Sequence, residues 1–204
     1  SGTAQQPPVR GLAAAADGAA SALAALRGWA QAQGLGELAA QCDRAAAESP
    51  VGPWQALSGP TGEANLYAVQ PRGHVLGLAA SGAAGDADRL AQLAAVLAVG
   101  AHAVWPADAM PLADRLPPDV REHVTLAQDW TQPAVPVDAV LLHGDAADRL
   151  RVASALAARP GPIVGLVALD AGDGRVPTER LVLERSLSIN TAAAGGNASL
   201  MTLG

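Results

Sequence analysis

The chain contains no lysine: all thirteen of the basic residues among its 204 are arginines. That absence excludes the phosphate-gripping lysine of Walker-type loops, Schiff-base chemistry and any lysine general base. Cysteine is almost as scarce. Cys42 stands alone, so no internal disulfide can form, and the lack of a charged-then-apolar leader makes the cytoplasm the expected compartment. Positive charge is thin and dispersed, with nineteen acidic residues giving a net charge of −6 and a pI near 5.0. No footprint for a phosphate backbone results, and nucleic acid is not an expected partner. Nor is there a long hydrophobic run. The longest apolar stretch, residues 90–105, is interrupted by Gln92, Gly100 and His102, too short and too broken for a transmembrane segment.

What remains is half hydrophobic, much of it alanine, so core packing must rest on the leucine and valine runs. Residues 9–33 form an alanine-rich helical stretch with Leu12, Leu23, Leu26 and Trp29, stopped by Gly34-Leu35-Gly36. A second helix spans residues 37–48. The prolines and glycines from Pro50 to Gly62 then write a loop. Residues 65–70 and 74–78 flank Pro71-Arg72-Gly73 and suggest two strands joined by a tight turn. Thereafter the period alternates: a helix over 86–99, a strand over 101–105, strands at 123–127 and 139–143, a helix over 145–158 with Asp145 as N-cap, and a strand at 163–169. Such alternation predicts an α/β protein with a Rossmann-like, doubly wound, mostly parallel sheet. The alternating residues 181–189 suit an antiparallel β-flap. The expected organisation is therefore an N-terminal helical segment at 1–49, a Rossmann-like domain at 50–180, and a flap strand with tail at 181–204.

The candidate sites divide by chemistry. Gly34-Leu35-Gly36-Glu37-Leu38-Ala39 fits a dinucleotide fingerprint as a string, but a helix rather than a strand precedes it, so a plain interhelical break is expected. Cys42 lies in an amphipathic helix with nothing nearby to activate a thiolate. His74, His102, His123 and His143 stand on separate elements without paired spacing, so no metal site is expected. His143-Gly144-Asp145 ends a strand where open α/β sheets bind ligands and is the best catalytic pair on position, yet strand-ending by Gly144 and helix-capping by Asp145 explain it better. No glycine-flanked serine nucleophile appears.

Two segments are more specific. Gly59-Pro60-Thr61-Gly62-Glu63-Ala64-Asn65-Leu66-Tyr67 and the terminal stretch from Glu184-Arg185-Ser186-Leu187 through Gly195-Gly196-Asn197 to Leu200-Met201-Thr202-Leu203-Gly204 together resemble the C-terminal region of the proline utilization A (PutA) family. The resemblance implies a non-catalytic domain, similar to a truncated aldehyde dehydrogenase, in a parent enzyme that oxidises proline with FAD and glutamate semialdehyde with NAD. It implies no cofactor in this domain, and a role as lid and assembly element over the dehydrogenase site and the cavity that passes the intermediate. The implied partner is the aldehyde dehydrogenase domain of the same or a neighbouring chain, and the alternation of residues 181–189 suits a flap edge covered by another strand or subunit, which allows a homo-oligomer through the flap. In the tail, Asn190, Thr191, Gly195, Gly196 and Asn197 would satisfy or approach backbone, and Leu200, Met201 and Leu203 would anchor in apolar pockets. The competing expectation is a free-standing dinucleotide- or nucleotide-binding module with a working crevice.

Overall fold

The computed structural model describes residues 10–60 and 62–190. Two helices, α1 (Arg10–Ala32) and α2 (Gly36–Glu48), precede the strands. Gly34 separates them with φ of 73°, a left-handed conformation that glycine adopts without a Cβ penalty. A helix does lead into this string, as its position in the sequence required.

Five parallel strands form the centre: β3 (His74–Leu78), β4 (His102–Pro106), β5 (Val124–Ala127), β6 (Ala139–His143) and β7 (Gly165–Leu169). They are ordered β5-β4-β3-β6-β7, and every neighbouring pair is parallel. Helix α3 (Ala83–Val99) links β3 to β4, and α6 (Ala146–Ala158) links β6 to β7. Two four-residue helices, α4 (Met110–Ala113) and α5 (Pro118–Arg121), fill the connection from β4 to β5, where sequence periodicity was too short to register them. Asp145 caps α6 as expected, its carboxylate accepting from the Asp148 amide at 2.9 Å.

Because side chains alternate across a strand, the sheet builds two cores. Val75, Ala103, Trp105 and Leu141 face Leu26, Leu93 and Leu97 of α1 and α3. Leu76, Val104, Val140 and Leu142 face Val152 of α6 and Trp130 on the opposite side. The mixed α/β fold with a parallel sheet is thus the one that the periodicity predicts.

One expectation is corrected. The strands around Pro71-Arg72-Gly73 do not pair with each other. Strand β2 (Glu63–Pro71) joins a separate antiparallel sheet, ordered β1-β2-β8, with β1 (Gln55–Leu57) and β8 (Val182–Asn190). The reason is burial: Val75, Leu76, Gly77 and Leu78 are buried and need neighbours on both sides, supplied by β4 and β6, whereas β2 is largely half-exposed. The flap therefore draws two of its strands from residues far upstream of β8.

Candidate functional site

In an open parallel sheet, ligands gather at the carboxyl ends of strands where successive connections diverge. Here the chain proceeds from β3 outward to β4 and β5, then returns to β6 on the other side of β3. The crevice in question therefore lies between Leu78, ending β3, and His143, ending β6.

The chain's own atoms fill it. From α3, Gln92 Nε2 donates to the Leu78 carbonyl at 2.9 Å and lies 2.7 Å from His143 Nδ1. The other ring nitrogen, Nε2, lies 2.8 Å from the Asp173 carbonyl. A carbonyl only accepts, so Nε2 carries the proton and Nδ1 accepts from the glutamine amide. Gly172 N donates to Asp88 Oδ1, also on α3, at 2.9 Å. The segment between β7 and the following 3-10 turn (Thr178–Leu181) is thereby strapped across the crevice. Beyond it, Arg175 pairs with Glu48, and Thr178 Oγ1 donates to the Glu48 carbonyl at 2.9 Å. His143 is a buried histidine with both nitrogens occupied, and Asp145 is engaged as a helix cap. The adjacent pair His143 and Asp145 is not assembled as an acid–base couple.

The turn from β3 into α3, Ser81-Gly82-Ala83-Ala84-Gly85, is the strand-to-helix junction that a dinucleotide fingerprint would need, and sequence reading passed over it for the string at Gly34. Its signal was present: two glycines between a buried strand and an amphipathic helix. Gly82 has φ of 89°, and a Cβ on Gly85 would stand 1.7 Å from the Ala80 carbonyl oxygen. Arg89 turns its guanidinium back on this junction, donating to the Ala79 and Ala80 carbonyls and pairing with Asp108 at 3.3 Å. Asp86 occupies the first turn of α3. The positive end of the helix is thus already faced by two carboxylates, and Arg89, the nearest cation, is engaged by them and by the turn's carbonyls rather than free for a phosphate.

Cys42 is buried in the first core, and burial, then the neighbouring Asp43 carboxylate, pushes its thiol up to about 11. It is not an activated nucleophile. Among the described residues no group of three or more histidine, cysteine or carboxylate side chains is placed to hold a metal, and no helix is long and apolar enough to cross a membrane. His74, His102 and His123, however, meet at the amino-terminal edge of the sheet. Sequence spacing could not reveal this, because parallel register brings together residues some twenty to thirty positions apart.

The flap is the second candidate surface. Nine residue pairs bind β2 to β8, from Glu63 opposite Asn190 to Pro71 opposite Val182. Directly opposed residues share a face, so Leu66 with Leu187 and Ala64 with Ile189 form an apolar strip. Leu187 and Ile189 remain 43% and 38% exposed, and Leu57 on β1 remains 50% exposed. Among the described residues, β8 pairs along one edge only. Asn190 ends β8, while Thr191, Gly195, Gly196, Asn197, Leu200, Met201 and Leu203 lie outside the described residues.

Comparison with known proteins narrows the reading. Bifunctional protein PutA of Escherichia coli is 46% identical over 185 residues, which is 89% of this chain. The chain is homologous to part of PutA. PutA of Salmonella typhimurium is 49% identical over 166 residues, covering 80% of the chain. The chain spans only 14% and 12% of the length of these two PutA proteins. No protein-family model matches it. Among solved structures, lactaldehyde dehydrogenase superposes with a TM-score of 0.55 at 14% identity, covering 76% of the chain and 39% of that protein. That likeness concerns fold alone: the PutA-homologous chain is built as an aldehyde-dehydrogenase-like α/β unit.

Proposed function

We propose that this chain is a non-catalytic lid and assembly domain of a PutA polypeptide that oxidises proline with FAD and then oxidises glutamate semialdehyde with NAD. The observation that carries the proposal is the filled switch-point crevice, in which Gln92, His143 and the Asp173 carbonyl stand where a dinucleotide would lie. The engaged Arg89, the carboxylates of Asp86 and Asp108, and the lack of lysine argue the same way. On this reading no cofactor binds here, FAD and NAD belong to the other domains of the parent, and the retained fold serves as scaffold.

The partner is the aldehyde dehydrogenase domain of the same or a neighbouring chain, met by the apolar strip of the flap and by the terminal tail. A strand edge beside exposed Leu187 and Ile189 suits coverage by another strand or subunit. The tail carries no ionisable side chain from Thr191 onward, so its part is to close a cavity against water and loss of the intermediate.

The decisive experiment deletes residues 190–204 from a full-length PutA carrying this segment. Flavin-dependent proline oxidation stays near normal, semialdehyde oxidation weakens, and a lag precedes NADH formation from proline. Unchanged semialdehyde oxidation without a lag would refute the lid. The turn at Gly82 and Gly85 favours a second reading, a dinucleotide-binding module. Calorimetric titration of the 204-residue chain with NAD and NADH separates the two, since micromolar binding would establish the second and none is expected from the first.

A further inference from the structure

We propose that His74, His102 and His123 form a coupled row that makes the amino-terminal edge of the parallel sheet sensitive to acid. The three residues begin or immediately precede the neighbouring strands β3, β4 and β5. His74 is the register partner of His102, and Ala103, the next residue of β4, is the partner of Val124, the residue after His123. Ring centroids are 6.0 Å apart between His74 and His102, and 5.0 Å apart between the stacked rings of His102 and His123. Neutral imidazoles at these distances tolerate or favour stacking. Imidazolium ions at the same distances repel.

The rings are tied to the strand pairing that they would disturb. His102 N donates to the Gly73 carbonyl at 3.0 Å, and Ala103 N donates to the His123 carbonyl at 2.9 Å. At the β6 end, Asp138 N donates to the His74 carbonyl, and the Asp138 carboxylate accepts from His74 N at 2.8 Å and lies 3.6 Å from the His74 ring. Charge on His74 thus has a counter-ion, while the middle of the row has none within ion-pair distance among the described residues. The other charged groups on adjoining elements are Arg72 in the turn before β3, and Asp119, Arg121 and Glu122 around α5. The Arg121 guanidinium is turned back onto the Val124 carbonyl. His123 Nδ1 is buried and has no hydrogen-bond partner.

The His102 side chain is exposed, yet packing between its two neighbours partly desolvates the imidazole and holds it below its ordinary value of 6.5, with His123 and then His74 acting in the same direction. The unfolded chain therefore takes up this proton more readily than the folded one. Stability from His102 is fully present above the ordinary value and is lost as pH falls through it toward the lower folded value. The loss is expressed at the first hydrogen bonds of β3, β4 and β5.

Carbon-detected NMR titration of the imidazole rings in the 204-residue chain, with matched hydrogen exchange, tests the row. His102 should titrate below the ordinary value, and either His123→Gln or His74→Gln should raise its midpoint toward that value. Protection of the His102 and Ala103 amides should fall several-fold more between about pH 7.5 and 5.0 than that of Gly144, whose amide bonds the Leu169 carbonyl across β6 and β7. The difference should shrink in His102→Gln. A His102 midpoint at or above the ordinary value, or one unmoved by both neighbouring replacements, overturns the proposal. So does an equal acid loss of protection at both edges.

Discussion

Replacing Gly85 with alanine should destabilise the chain, and the structure sets the scale. A Cβ at this position would lie 1.7 Å from the Ala80 carbonyl oxygen and 2.5 Å from its carbon, both backbone atoms that no rotamer change can move. Relief requires the β3–α3 turn to open by roughly 1.5 Å, which would also displace the carbonyl that holds Arg89 Nη1 at 3.1 Å. Overpacking of this kind costs about 1–3 kcal/mol, and a backbone clash belongs at the upper end. Alanine recovers about 1 kcal/mol of helix propensity. The net loss is about 2 kcal/mol, or roughly 4–8 °C in Tm for a chain of this size. Gly28 is the internal control: it lies inside α1, and a Cβ added there would meet nothing within 4 Å. Gly28→Ala should stabilise by about 0.5–1 kcal/mol. Urea unfolding followed by circular dichroism gives both values, with unchanged m-values confirming that only stability moved. A Gly85→Ala variant within about 0.5 kcal/mol of the parent would refute the argument from close strand–helix approach.

Further outcomes follow from other features. Asp145→Ala should lose about 1 kcal/mol in the same urea assay, and Asp145→Asn much less, because the asparagine oxygen still accepts from Asp148 N; equal losses would discount the cap. Cys42, with its thiol near 11, should carry about a hundredfold less thiolate at pH 8 than at its ordinary value of 9.0. Reaction with a disulfide reagent should therefore await unfolding, and rapid native-state labelling would contradict its burial. In the flap, Leu187→Asp with Ile189→Asp should abolish any association that buries the apolar strip while leaving the far-ultraviolet spectrum intact. Sedimentation velocity of the full-length PutA variant checks this, and an unchanged assembly would remove the strip from the interface.

Local chemistry made much of the fold legible before any coordinates. Gly34 ends α1 because a left-handed residue terminates a helix cheaply, and Asp145 opens α6 because its carboxylate reaches the third helical amide. The helical spacing of Leu90, Leu93 and Leu97 and the short apolar runs around them dictated alternating helices and strands. The missing lysine and the lone buried-type cysteine narrowed the chemistry, and the motif at residues 59–67 together with the terminal stretch from Glu184 pointed to the PutA relationship that comparison established. All of these depend on residues within one turn, one strand or one contiguous motif. Partnership did not. Whether β2 would fold back on β3 or cross to β8 depended on which strand had to be buried on both faces, a matter of the whole sheet. The strap that joins Asp88 to Gly172 spans 84 positions, and the histidine row is assembled only by parallel register. Contacts of that kind arise from the packing of distant elements, and tertiary structure alone decides them, because hydrophobic periodicity reports which face of an element is buried but not what lies against it.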